Sequence, residues 1–488
     1  MSPPAGFPIR PHAAAAADRY CRLFPEASDS AQQKMTADAL EKLAGLMSGD
    51  ETPIPINCQL GHVPPAAAVT YFGQFVDHDL TLDSTPLREA GCCEPIYTIN
   101  YRAPWLDLDH LYGDGPRSSR HHYLYESDDA SFRIGHSPCG GPFDVPFTHD
   151  GRLALADERN GENIILRQIH AMFLGLHNAA VRELSPTLPP RERFDRARDR
   201  VRWQYQWLVR NWYLPQICHP DVYDAVINQG DHRIDWSQDG FAIPVEFSAA
   251  AMRFGHSMVR PGYRLRNGGK VFPLAKLFGV QNNRALDSSL RIDWSFFAGD
   301  DTTASAAPID TTITEALFKL PDEHIDLYVR TSMPHPPQAL PVRTLTRGAA
   351  MRLPTGQQVR AALGEADIPA PTFDYKIDPW QALRDAGLDQ DTPLWYYVLL
   401  EAQLDPGLPS TQAHPWVSGF GTTLGKVGSR LVAEVIDASL YFDPTSFVRR
   451  KETPKPWTNP DDPDGDKIHV TLLKHVALVA GLAGPIRS

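Results

Sequence analysis

What this chain has little of narrows its reading first. Of its 488 residues only six are cysteine (Cys21, Cys58, Cys92, Cys93, Cys139 and Cys218), and no two form a CxxC pair. That excludes a zinc knuckle or a thioredoxin-like centre. Cys92 and Cys93 are adjacent, which is poor geometry for an ordinary disulfide, so reduced thiols are expected. There is no run of about eighteen apolar residues, so no membrane span is expected. A basic excess is missing too: 47 Lys and Arg stand against 59 Asp and Glu, a net charge of −12. Nucleic acid is therefore not the expected partner. The first twenty residues, MSPPAGFPIRPHAAAAADRY, lack a basic segment followed by a long apolar core. They predict no cleaved secretion signal, hence a cytoplasmic location or unconventional export. A phosphate-binding glycine loop, a GxSxG elbow and internal repeats are absent as well.

What is present is a globular composition, 42% hydrophobic and 22% charged, with 44 prolines that predict many helix stops and ordered loops. The stretch TYFGQFVDHDLTLD, Thr70–Asp83, has Val69, Phe72, Val76 and Leu80 at helical spacing. Gln74 and His78 are four apart and share a face, with Asp77 beside them and Asp79 next. So many polar groups in an apolar helix are costly to bury unless paired. APWLDLDHLYG, Ala103–Gly113, alternates Asp107 and Asp109 with apolar residues, an oxygen-ligand pattern suited to Ca²⁺ if the loop is extended. Residues 157–184 predict a long buried helix with Arg159, Glu162, Asn163, Leu166, His170, Phe173 and His177 on one broad face. Seven residues separate its histidines by roughly 10 Å, so both read as hydrogen-bonded core residues rather than a ligand pair. Residues 196–227 predict a helix ended by Pro215. A further helix with Val245, Ala249, Met252 and His256 on one face should stop near Arg260, before Pro261. A helix from Ser30 to Met47, capped by Ser30, and short ones around Ala316–Leu320 and Asp322–Tyr328 complete the first two thirds. Leu345–Leu363, Leu394–Gln403, Gly425–Ala438 and Ile468–Gly481 follow. DDPDGD, Asp461–Asp466, reads as a turn, since it lacks the later glutamate of an EF-hand.

Taken together, GQFVDHDL, WLDLDHLYG, DERNGENIILRQIHAMFLGLHN and AMRFGHSMV resemble, in order, the blocks of the animal-type haem peroxidases, the peroxidase–cyclooxygenase superfamily, most closely its bacterial members. RTLTRGAAMRLPTGQ, PLWYYVLLEA and LGKVGSRLVAEV extend the resemblance over roughly residues 55 to 480. It implies a mainly α, single-domain fold with little β and haem b held between distal and proximal helices. Residues 1–50 would form an arm and helix packing on a catalytic domain, residues 51–488. It implies His256 as the iron ligand, with Thr344 where relatives use an asparagine to bond its other ring nitrogen. His78 would move the proton of H₂O₂, Arg159 would stabilise developing charge, and Gln74 would orient peroxide. Asp77 and Glu162 match carboxylates that form ester links to haem in mammalian relatives, while Asn163 excludes a sulfonium link. Asp79, Asp107, Asp109 and the carbonyls of Ala103 and Trp105 would bind Ca²⁺. Arg253 stands near the haem, where fatty-acid dioxygenases carry a radical tyrosine. The implied activity is H₂O₂-dependent oxidation of halides, thiocyanate or phenols. A fatty-acid dioxygenase or a non-catalytic Ca²⁺-binding helical scaffold is the alternative.

Overall fold

The computed structural model describes residues 19–49, 65–83, 98–136, 142–236, 241–278, 284–299, 304–320, 338–368, 378–405, 421–450 and 473–480. Cys58, Cys92, Cys93, Cys139, Pro64, the helix expected near Asp322–Tyr328 and the Asp461–Asp466 turn lie outside them. The architecture is helical. Its strands among the described residues are two short antiparallel hairpins, Gly135–His136 with Pro142–Asp144 and Gly262–Arg264 with Val271–Pro273. One apolar cluster runs from Tyr20 to Ala480.

At its centre lies the Ala67–Leu80 helix, nearly all of whose residues are buried. It packs on the long Ile164–Glu183 helix, where Phe75 stacks on Phe173 with ring centroids 5.0 Å apart. On another side Phe72 meets Trp212 and Tyr213 edge-on. Gly73 permits that approach: a Cβ there would fall 2.4 Å from the Tyr213 hydroxyl. The Leu394–Leu404 and Lys426–Phe442 helices fall where the sequence places them.

Several boundaries move, each for a local reason. The expected Ser30–Met47 helix is two, Asp29–Lys34 capped by Ser28 and Ala37–Leu46 capped by Thr36. The Thr36 hydroxyl accepts from Ala39 N and restarts the chain as a new helix. Pro215 does not end its helix. The chain runs from Pro190 to Leu208, loosens into a π-turn over Val209–Tyr213 and continues through Leu214–Ile217. That wider turn tolerates the missing N–H of proline. Elsewhere Pro190, Pro220, Pro341 and Pro379 sit in the first turn of their helices, opening rather than stopping them.

The segment carrying His256 is also broken. An α-turn over Val245–Ala249 ends at Ala250 (φ −135°, ψ −71°), and a 3₁₀ helix follows over Ala251–His256. The single face expected for Val245, Ala249, Met252 and His256 therefore does not exist. The N-terminal stretch locks this segment in place. Leu23 N and Phe24 N donate to the buried Glu246 carboxylate at 3.1 Å, and Cys21 pairs with Pro244.

Candidate functional site

His78, Gln74, Asp77, Arg159, Glu162, Arg253 and His256 line one cavity of about 320 Å³. Its size is within the range of ligand and cofactor pockets. The Ala67–Leu80 helix supplies Gln74, Asp77 and His78. Arg159 comes not from the long helix but from a 3₁₀ turn, Glu158–Gly161, ahead of it. Asn163 then caps the long helix by accepting from Leu166 N at 2.8 Å. The face expected to contain both Arg159 and His170 is split by that cap.

Arg159 is fixed by Asp157, two residues earlier. Its Nε and Nη2 donate to the Asp157 carboxylate at 3.1 and 2.7 Å, and Nη2 also donates to the His78 carbonyl at 3.0 Å. Burial works against its charge, but Asp157, Asp77 and Glu162 outweigh it and hold the guanidinium cationic. Asp157 in turn is held well below the usual carboxylate range, against its own burial, by Arg159 and Arg102. Asp157 was not singled out in the sequence, although its spacing from Arg159 is that of a capping turn.

His78 is buried, and its Nδ1 lies 2.9 Å from Asn160 Oδ1. Burial, with Arg159 second, lowers its pKa to about 3, so the imidazole stays neutral. The Gln74 amide is engaged at both ends, donating to Glu162 Oε2 and accepting from Asn163 Nδ2, each at 3.1 Å. Asp77 accepts from the Thr81 hydroxyl at 3.2 Å. Burial raises its pKa, opposed by Arg253 and Arg159.

His256 presents a different picture. Burial and then Arg253 and Arg343 lower its pKa to about 3. Its Nδ1 is buried without a hydrogen-bond partner among the described residues. Thr344 does not supply one, because its hydroxyl donates to the Leu340 carbonyl at 3.1 Å. Helical Thr344 spends its hydroxyl proton within its own turn, and His256 Nδ1 has no bond to the hydroxyl oxygen, so the one expected between them is not made. Trp395 packs edge-on to the His256 ring at 5.9 Å and donates to the Arg253 carbonyl. Arg253, lowered to about 10 by burial and by Arg347 and Arg343, shares the cavity with both those arginines.

Directly behind His78, the Asp107–Asp109 loop is not extended. Leu108 takes a left-handed conformation (φ +61°), and Asp109 opens a short helix. The turn brings Asp109 and Asp79 within 4.8 Å of each other and of His110, a third donor not foreseen. His110 Nδ1 lies 2.8 Å from Asp79 Oδ1. Asp107 stays outside this trio, its Oδ1 accepting from Asp109 N at 3.0 Å. Ala103 N donates to Asp109 Oδ2, and the Trp105 ring stacks on Phe241. Burial raises Asp79 to about 7; burial and the Asp79 charge do the same for Asp107.

His177, by contrast, is a satisfied core histidine, bonded to the Tyr112 hydroxyl and the Ala130 carbonyl. No described helix is long and apolar enough to cross a membrane.

Comparison with known proteins supplies the family. The chain is 27% identical over 266 residues to a "Peroxidase-like protein" of Margaritifera margaritifera, covering 39% of this chain and 31% of that protein. It is 27% identical over 222 residues to peroxinectin A of Dictyostelium discoideum, covering 42% and 39%. It thus spans only about a third of the length of these curated relatives. Its fold is similar to peroxidase A of Dictyostelium discoideum (TM-score 0.53, 16% identity, 90% of this chain and 88% of that one). It is similar also to a fatty acid alpha-dioxygenase of Oryza sativa (TM-score 0.60, 12% identity, 96% and 79%). The family model described as animal haem peroxidase matches residues 89–338, about half the chain and the stretch holding Arg159 and His256, and the protein belongs to that family.

Proposed function

We propose that this protein is a haem peroxidase that uses H₂O₂ to oxidise small donors such as halides, thiocyanate or phenols. One observation carries the reading: a neutral buried histidine beside a fixed guanidinium shares one cavity with a second neutral histidine. The residues suit haem b. His256 offers a neutral imidazole, the usual protein ligand of peroxidase haem. Its Nδ1 is buried, which leaves Nε2 for iron. Arg253, Arg343 and Arg347 gather positive charge on the cavity wall, where propionates would be held.

Bound haem supplies the oxidising equivalents' chemistry. The chain's own groups manage the proton and the charge. His78 Nε2, the nitrogen not engaged by Asn160, takes a proton from one peroxide oxygen and returns it to the other, which leaves as water. Such transfer is typically worth about 10²–10⁴ in rate. Arg159, pinned by Asp157 and unable to lose its proton, faces the negative charge that develops as the O–O bond breaks. Gln74, tied to Glu162 and Asn163, is a fixed part of the wall. Asp77 and Glu162 line the cavity and are the carboxylates that an ester link to haem would use.

The candidate Ca²⁺ site would be built on Asp79 and Asp109, beside His110, with Asp107 and the backbone oxygens of Ala103 and Trp105 as further oxygen ligands if the Asp107 carboxylate turns from Asp109 N. Supporting it, Asp79 Oδ2 is buried without a hydrogen-bond partner among the described residues, while Asp109 Oδ1 has the Arg102 guanidinium 3.3 Å away. Because Asp79 follows His78 directly, a cation there would stiffen the distal turn.

The test is a Soret band in purified protein, with H₂O₂-dependent oxidation of bromide, iodide, thiocyanate and a phenol that disappears in His78→Ala. Oxygen uptake with linoleate, without added peroxide, would instead favour the dioxygenase reading. Against that reading stands Arg253, three residues before His256, a side chain that cannot form the tyrosyl radical of those enzymes.

A further inference from the structure

Behind His78, away from the cavity, a chain of polar groups continues. Asn160 is fully buried, with Oδ1 2.9 Å from His78 Nδ1 and Nδ2 3.1 Å from His170 Nδ1. His170 is buried on the Ile164–Glu183 helix. A carboxamide can serve two imidazoles only by accepting from one and donating to the other. The two rings must therefore take opposite roles at Nδ1. With Oδ1 toward His78, that ring carries its proton on Nδ1, and its lone pair sits on Nε2, on the cavity side. Were the amide reversed, Nε2 would carry the proton, and no base would face the cavity.

We propose that Asn160, held in orientation by His170, is a positioning residue that fixes His78 as the Nδ1–H tautomer. The inference rests on the peroxidase reading of His78. It goes further by naming the pair that makes the ring a base rather than a donor. Asn160 comes from the same short turn as Arg159, so one Glu158–Gly161 segment sets both the base and the cation of the site. The surroundings favour a bond of this kind. Arg159 and Asp157 face His78 with opposite charges. The proton position on the ring is thus left to the hydrogen bond. His170 was read from the sequence as a core histidine. It is buried and hydrogen-bonded, but its partner is the residue that holds the distal base.

The experiment uses the haem-loaded full chain and reads cyanide association by stopped flow, since HCN must give its proton to the distal base as it binds. Relative to wild type, Asn160→Ala should slow association by about 10–100-fold, the usual cost of losing an outer partner. The Soret position should stay nearly unchanged, with the melting temperature lowered by the loss of two buried hydrogen bonds. His170→Leu, which frees the amide to reverse, should also slow association. His170→Gln, whose side-chain oxygen can still accept from Asn160 Nδ2, should stay within about twofold of wild type. A merely structural role would not separate leucine from glutamine in this way. If Asn160→Ala loses haem, the His170 pair carries the test alone. Wild-type rates in both Asn160→Ala and His170→Leu, with His78→Ala slowed, would overturn the proposal and leave the base intact. A wild-type rate in His78→Ala would overturn the peroxidase reading itself.

Discussion

The two histidines of the cavity are supported in opposite ways. His78 is backed by a closed polar chain, Asn160 and then His170, while Nδ1 of His256 meets no partner among the described residues. His78 is buried and His256 half-buried with its Nδ1 sealed from solvent, and desolvation drives both toward the neutral form at about pKa 3. A similar shift toward the neutral form thus goes with different surroundings. The His78 ring is oriented by hydrogen bonds, as the proposed base requires. The proximal ring is oriented by packing, through Trp395 at its edge and the break at Ala250. A ring held by packing alone receives no electron density from a partner acceptor and should be a weaker donor to iron.

The largest effects should come from removing either ring, and they should differ in kind. His256→Ala should abolish the Soret band. His78→Ala should keep it and lose about 10²–10⁴ in peroxide turnover. If the two variants behaved alike, the division of roles would collapse. Next comes the missing bond. Thr344→Asn offers His256 an acceptor, and the ferric/ferrous potential measured by spectroelectrochemistry should move downward. An unchanged potential would mean that the proximal ring already has a partner.

A third prediction concerns the support beneath His78. A cation needs Asp79, Asp107 and Asp109 ionised, yet burial raises them, Asp79 and Asp107 to about 7. Binding must therefore release protons, so Ca²⁺ affinity should weaken as pH falls from about 8 to about 6. Calorimetry at the two pH values checks this, and chelation should lower both activity and melting temperature. The smallest effect should come from Asn163→Ala, which removes the cap of the long helix and a partner of Gln74. About 1 kcal/mol of stability should be lost in denaturant unfolding.

Chain-local patterns made much of the site legible. The spacing of Gln74, Asp77 and His78 within an apolar helix marked a polar face that had to be paired, and the structure puts all three on the cavity. What the pattern missed were partners brought from elsewhere or hidden by local backbone. Asp157 and Asn160 lie in a 3₁₀ turn that helical periodicity reads as the start of an α-helix. Likewise, Leu108 turns an apparently alternating loop so that Asp109 and His110, rather than Asp107, meet Asp79. Thr344 lay where a partner for His256 was expected, but a hydroxyl in a helix reaches its own carbonyl first.

The amino-acid order by itself determined a helical chain and pointed to His78, Arg159 and His256, which line one cavity, and to the acidic pair beside His78, because these depend on residue type and spacing along one element. Tertiary structure alone decided which ring nitrogen has a partner, which second guanidinium, that of Arg102, joins Arg159 on Asp157 and how the N-terminal stretch locks the His256 segment. Those outcomes depend on distances between residues tens to hundreds of positions apart, which no one-dimensional periodicity encodes.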